Sequence, residues 1–422
     1  MPVQGAIIAH VVVDASYLPR HAAGLLQRAL AAAPIVVLMG ARQTGKSTLA
    51  EAEPFLADRL YLTLDDPATH ERARLAPDDL VRSAGRLTVD EVQREPDLLL
   101  AVKRAVDGDR PRRHGRFLLT GSANLLLMRR VSETLAGRAT YVHLWPLTRR
   151  ERLGRGAPGI WSELLAAPAA EWYDLVRSRD EAPADWRAEV RAGGYPTPAV
   201  ALDGDEARSL WFDGYVRTYL ERDLQSLTAV GNLVDFRRLM RAAGHRLGGL
   251  INQADVGRDL QVPRTTVQRH LHLLETSFQV VRLPPYSVNR GKRLVKSPKL
   301  YWSDPALALW LSGAAAASGE HLENLVLADL LVWRDGQAPA PDVLFWRTTT
   351  DREVDFVVEA GERLLAVEVK AGANPGLGDI RGLRLFQEDY RDRFAGGLLL
   401  HGGRDTQWMA DGILAAPWWR VL

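Results

Sequence analysis

The chain has no cysteine among its 422 residues. That excludes disulfides, thiolate zinc sites and cysteine nucleophiles, and it fits a reducing cytoplasm, the expected location. No apolar run reaches the roughly 18 residues that a membrane span requires, so no segment is expected to cross a bilayer. The first ten residues, Met1 to His10, lack both a basic start and a full apolar stretch, so no secretory leader is expected. Compositional extremes are missing too. With 46% hydrophobic and 25% charged residues, the chain reads as globular rather than disordered, and its length suits two or three domains.

Strong net charge is absent overall, at +2, but the charge is unevenly spread. Residues 231–300 carry ten Arg and three Lys against three Asp and one Glu. Such a local excess points to a polyanionic partner, DNA above all, or to a basic face that meets acidic surfaces in an oligomer.

One stretch is rich in chemical meaning. Gly40-Ala41-Arg42-Gln43-Thr44-Gly45-Lys46-Ser47 fits G-x-x-x-x-G-K-[ST], the phosphate-binding loop. Ile35 to Met39 precedes it as a buried strand, and Thr48 to Ala52 follows as the first turns of a helix. The glycines let several backbone N–H groups converge on phosphate, and the helix start adds roughly half a positive charge. Lys46 is expected to neutralise the β and γ phosphates of ATP, and Ser47 to offer its hydroxyl to Mg²⁺. Arg86 to Glu91 reads as a strand ending in two carboxylates, beside the loop strand. Asp90 is expected to hold Mg²⁺ through water, and Glu91 to orient or deprotonate the attacking water. A further strand, Phe117 to Thr120, runs into Gly121-Ser122-Ala123-Asn124, which either senses the γ-phosphate or makes a simple turn. Arg138, before the strand Thr140 to Leu144, is either an arginine finger for a neighbouring subunit's nucleotide or an ordinary exposed arginine.

The expected architecture is α/β with four parts. Residues 1–150 alternate strands and helices, as a parallel-sheet P-loop domain does. Residues 151–230 read as a helical region, broken at Gly193-Gly194-Tyr195-Pro196, in which Trp211 and Tyr215 are core aromatics. Residues 231–290 read as a winged helix. Its first short helix is Ala254 to Leu260, its turn is Gln261 to Pro263, and its second helix is Arg264 to Glu275. Val267, Leu271 and Leu274 face inward, while Thr265, Thr266, Gln268, Arg269 and His272 face out, where a major groove would be read. Phe278 to Leu283 supplies the wing.

Residues 291–422 carry a second constellation. Glu353 to Val358 and Arg363 to Lys370 form a hairpin, and strand alternation puts Leu364, Ala366, Glu368 and Lys370 on one face. Asp355, across the hairpin, and Glu368 can together bind Mg²⁺, with Lys370 holding the attacking water and Glu323 completing the cluster. That outlines metal-assisted phosphodiester cleavage. The plainer reading is a hairpin with solvated charges.

Taken together these pieces resemble a prokaryotic family that joins an AAA-type ATPase to a C-terminal domain of unknown function with a restriction-endonuclease-like, PD-(D/E)XK-type core. The matching pieces are the P-loop with Thr48, Val89-Asp90-Glu91, Thr120-Gly121-Ser122, Leu135 to Arg138, Gly193 to Pro196, Thr218 to Asp223, Pro284 to Tyr286, Lys299 to Asp304, Glu323-Asn324, and Asp355 with Glu368-Val369-Lys370. Ser47 stands where many relatives carry Thr, which keeps a hydroxyl for Mg²⁺. The resemblance implies ATP binding and hydrolysis, a winged helix between the two ends, a nucleotide-related role for Arg138, and a homo-oligomer. Three functions follow: an ATP-driven enzyme that acts on and cuts DNA, an ATP-operated switch or scaffold that binds DNA or a protein and cuts nothing, or, with less support, a protein-remodelling ATPase.

Overall fold

The computed structural model describes residues 17–121, 134–179, 181–221, 233–289, 291, 293 and 297–422. The expectations for Met1 to His10, Ser122 to Asn124, and Arg222 and Asp223 lie outside the described residues.

Five short strands build the first sheet: β1 (Ile35–Met39), β2 (Leu60–Thr63), β3 (Leu87–Asp90), β4 (Phe117–Thr120) and β5 (Ala139–His143). All pair in parallel, in the order β2-β3-β4-β1-β5. β1 is buried throughout, and its alternation feeds two separate layers. Ile35, Val37 and Met39 pack with Leu99 and Val102 on one face, while Val36 and Leu38 pack with Leu26 and Leu49 on the other. A parallel sheet covered on both faces requires such continuously apolar strands. The order corrects one expectation. The acidic strand β3 is not beside the loop strand, because β4 lies between them.

The middle of the chain is helical, with Trp161–Ala166, Trp172–Arg177, Trp186–Ala192 and Asp205–Tyr215 among its helices. Three more helices follow: Leu233–His245, Gln253–Leu260 and Arg264–Thr276. Asn252 caps the second of these by accepting from Ala254 N at 2.9 Å, and Gln261, left-handed at φ 57°, turns the chain out of it. Val267, Leu271 and Leu274 are buried, Thr265, Gln268, Arg269 and His272 are exposed, and Thr266 is half-buried. An antiparallel pair, β6 (Val280–Leu283) and β7 (Lys299–Trp302), completes this helix–turn–helix and hairpin arrangement.

The last sheet has six strands: β8 (Asp342–Arg347), β9 (Glu353–Ala360), β10 (Arg363–Lys370), β11 (Phe394–His401), β12 (Gln407–Ala410) and β13 (Ile413–Pro417). Their order is β12-β13-β11-β10-β9-β8, with β10, β11 and β13 parallel and the outer strands antiparallel. The helix Gly319–Asp335 covers one face, where Leu322 and Val326 meet Val358 and Val367. The helix Arg381–Asp389 covers the other, where Leu383 and Phe386 meet Val357 and Ala366.

A single apolar cluster runs from Trp161 and Trp172 through Leu271 and Leu274 to Val367 and Leu398. Each fully buried side chain of this size contributes about 1.5–3 kcal/mol, so the middle and C-terminal regions stabilise one another. The expected boundary at 290/291 is not a structural break, since β6 and β7 pair across it.

Candidate functional site

The P-loop sits at the C-terminal end of β1. A side chain at Gly40 would put its Cβ 2.3 Å from the Leu144 carbonyl oxygen, so only glycine fits there. Gly45, at φ 91°, opens the helix Lys46–Ala52 from a left-handed conformation that glycine adopts without strain. Lys46 is buried and folds back on its own loop, donating to the carbonyls of Ala41 at 2.7 Å and Gly40 at 3.2 Å. Burial pushes its ammonium down to about 8, against the opposing pull of Glu91 and Asp90. Thr48, beside it, is exposed, and Arg42 and Gln43 form the loop's outer turn.

At Asp90, the end of β3, hydroxyls from the loop's helix, from β2 and from the end of β4 meet at one carboxylate. Ser47 Oγ and Tyr61 OH donate to Asp90 Oδ2 at 2.8 Å and 2.7 Å, and Thr120 Oγ1 donates to Asp90 Oδ1. Ser47 and Asp90 are hard oxygen donors in direct contact beside the phosphate loop, and they fit a Mg²⁺ ion shared with nucleotide phosphates. Glu91 follows at φ 56° and accepts from Gln93 Nε2. Its carboxyl is raised, first by burial and then by Asp90, with Lys46 opposing. The expected grouping of Gly40 to Ser47 with Asp90 and Glu91 is therefore present in space. Arg138 stands apart. It precedes β5 at the opposite end of the sheet, and its guanidinium grips Asp107 at 2.6 and 2.9 Å.

Sequence reasoning missed the loop's supports. Arg20 donates to Thr44 O at 2.8 Å and Trp145 O at 2.6 Å, and pairs with Glu151 at 3.3 Å. Glu151 belongs to a capping box with Thr148, a T-x-x-E signature that was legible. On another side, Tyr215 OH donates to Arg42 O at 3.4 Å. Tyr215 also meets Tyr195 OH at 3.1 Å and accepts from Gln279 Nε2 at 3.0 Å. This buried triad joins the P-loop to the residue preceding β6. The Gly193-Gly194 break has a packing reason, because Gly194 N donates to Asp304 at 2.6 Å where a Cβ would strike Leu147 O at 2.3 Å.

The C-terminal constellation also assembles. The β9–β10 register ends at Phe356 opposite Val367, so Asp355 and Glu368 are the next residues along. A bulge re-aims Asp355: Leu344 pairs with Val357 and Trp346 with Val354, leaving two β9 residues against one on β8. Asp355 Oδ2 accepts from Val369 N at 2.9 Å. Glu368 Oε1 is held by Lys370 Nζ, and its Oε2 is buried without a partner. Burial, reinforced by Asp355, pushes the Glu368 carboxyl up to about 8, and the same two causes raise Glu323. The unforeseen member is Lys299, whose ammonium lies 3.2 Å from Asp355 Oδ1 and 3.8 Å from Glu323 Oε2 and pairs with Glu353. Asp355 and Glu368 do come close enough for Asp355 to raise Glu368, but each already meets an ammonium, Asp355 that of Lys299 and Glu368 that of Lys370. Among the described residues no group of three or more His, Asp or Glu is arranged to hold a metal ion, and the Asp355 carboxylate that Mg²⁺ would need is engaged by the Lys299 ammonium.

Three family profiles cover most of the chain: an AAA domain over residues 32–153, and domains of unknown function, DUF8612 over 184–318 and DUF4143 over 318–421. Uncharacterized proteins of Mycobacterium tuberculosis and Mycobacterium bovis are each 32% identical over 413 residues, 96% of this chain and 84% of the relative. An uncharacterized protein of Haemophilus influenzae is 23% identical over 303 residues, 70% of this chain and 68% of the relative. Among solved structures, the chain is similar to a Walker-type ATPase of Pyrococcus abyssi (16% identity, TM-score 0.38, 71% of this chain and 99% of that one). It is also similar to a RuvB variant of Thermotoga maritima (18% identity, TM-score 0.28, 62% of this chain and 88% of that one). The AAA profile lies over the P-loop sheet and the mycobacterial match spans nearly the whole chain. The protein therefore belongs to the family of those mycobacterial proteins, with an AAA-type P-loop ATPase domain followed by two domains of unknown function.

Proposed function

We propose that the protein is an ATP-operated switch: it binds and hydrolyses ATP at the P-loop, and the nucleotide state governs how its middle and C-terminal regions engage DNA. One observation carries the reading, the meeting of Ser47, Asp90 and Thr120 beside the Lys46 loop with Glu91 adjoining. On nucleotide binding, Lys46 exchanges the carbonyls of Gly40 and Ala41 for the β and γ phosphates. Ser47 and Asp90 would hold Mg²⁺, which when bound neutralises charge developing on the transferred phosphoryl group. Glu91 orients the attacking water and takes its proton, and its raised carboxyl brings the base nearer to neutral pH.

The DNA half of the proposal is supported by the exposed polar face of the helix Arg264–Thr276, by the winged-helix-like order of elements, and by the basic block around it. The Arg42–Tyr215–Gln279 contacts give the P-loop a physical route to the β6–β7 hairpin. Arg138 lies at the far end of its own sheet, so a nucleotide-related role for it requires a homo-oligomer in which it reaches a neighbour's P-loop.

A restriction-endonuclease-like core that cleaves DNA through Asp355, Glu368 and Lys370 is the second reading. Convergence of the three residues favours it, and the Lys299 ammonium among them weighs against it. The decisive experiment measures nucleotide binding and ATP turnover in two variants. Lys46→Ala is expected to lose ATP affinity. Glu91→Gln is expected to keep ATP while turnover falls by about a hundredfold or more. Normal turnover in Glu91→Gln would remove that residue from its role, and unchanged affinity in Lys46→Ala would end the proposal.

A further inference from the structure

The acidic centre of the C-terminal sheet already contains a cation. Lys299 is 3% exposed, although it belongs to a residue type that is almost never buried unless paired. It is the first residue of β7, and pairing of β7 with β6 carries it into the cluster from outside β9 and the helix Gly319–Asp335, which supply the carboxylates around it. Its ammonium has three carboxylate neighbours, Asp355, Glu323 and Glu353, with the Tyr301 hydroxyl at 3.5 Å and the Phe345 ring centroid at 5.8 Å. Tyr301 in turn donates to Glu323 Oε2 at 3.0 Å. Three donors at most are available on an ammonium, and this cage satisfies them. Buried carboxylates without a counter-charge are costly, so the cluster needs a cation at this point.

A divalent ion would need the same oxygens. Both oxygens of Asp355 are already engaged, Oδ1 by Lys299 and Oδ2 by the Val369 backbone N–H. A metal bound by Asp355 would also face the Lys299 ammonium, 3.2 Å from Asp355 Oδ1, and like charges at such range repel.

We propose that Lys299 is the resident cation of this centre, filling the position a divalent metal would otherwise take and excluding the metal for as long as the β6–β7 hairpin keeps its place. The centre is then a structural ion cluster clamping the hairpin to the sheet, and it becomes a metal site only when the lysine is removed.

Manganese binding to the full chain, without nucleotide, tests this directly. Free Mn²⁺ is followed by electron paramagnetic resonance in the wild type, Asp355→Asn, Lys299→Gln, and Lys299→Gln/Asp355→Asn. Lys299→Gln is expected to gain a Mn²⁺ site at least tenfold tighter than any Asp355-dependent site of the wild type, and the double variant is expected to lose it. Wild-type protein that binds Mn²⁺ through Asp355 as tightly as Lys299→Gln does overturns the proposal, and shows a metal centre that tolerates the lysine. Lys299→Gln protein with no Asp355-dependent site overturns it too, together with the reading of these carboxylates as metal ligands. Where Lys299→Gln alone fails to fold, Lys299→Gln/Glu353→Gln removes one charge of each sign and carries the same comparison.

Discussion

Asp329 shows how one buried atom sets a pH response. Its Oδ1 accepts from Gly159 N at 2.8 Å and from Trp161 Nε1 at 2.6 Å, while Oδ2 is buried without a partner. Burial raises its carboxyl to about 6 from 3.8. The folded state therefore holds this proton after the unfolded chain has released it, and stability falls as pH rises from 3.8 towards 6. The loss comes to about 2–3 kcal/mol at one pH unit per 1.36 kcal/mol. Thermal midpoints at pH 4 and pH 6 are expected to differ less in Asp329→Asn than in the wild type, and an unchanged difference would mean the carboxyl is not raised. Residues differ sharply in how legible they were. Lys46 and Ser47 declared themselves through an eight-residue pattern whose chemistry is local. Asp329 and Lys299 gave no such signal, because each matters only through groups far away in sequence.

At the scale of the element, hydrophobic periodicity read well. The helix–turn–helix over 254–275 and the hairpin over 353–370 appear where alternation placed them, since burial of one face is what fixes each. Two features stayed hidden. The insertion of β4 between β1 and β3 is a matter of strand order, on which composition is silent. The bulge at Asp355 arises from pairing with β8, and it turns the side chain in a way that a period of two does not foresee. The outward face of the helix Arg264–Thr276 carries the prediction at this scale. Arg269→Ala is expected to weaken DNA binding across sequences and to reduce the slope of log affinity against log salt by about one, as a lost phosphate contact does. A slope equal to that of the wild type would take this helix out of the interface.

For the whole molecule, the governing fact is a core shared by the middle and C-terminal regions. Leu271 and Leu274 from the middle region belong to the same cluster as Val367 and Leu398 from the last sheet. A fragment spanning residues 291–422 would lose β6, the partner of β7, and would expose that cluster. It is expected to be unfolded or aggregated, with no cooperative thermal transition by circular dichroism. A cooperative melt from this fragment would show the C-terminal sheet to be an independent domain. The P-loop sheet has its own cores on both faces, which is why the alternation of strands and helices announced it so clearly.

The nucleotide loop was determined by the amino-acid order alone, because its function depends on backbone torsions, a lysine and a hydroxyl within one short segment. The clustering of Asp355 with Glu368 was nearly as local, being set by a hairpin. Which cation fills that cluster was decided only in three dimensions. Lys299 reaches Asp355 across 56 residues of chain through the pairing of β7 with β6, and contacts made over such separations leave no periodic trace in the sequence.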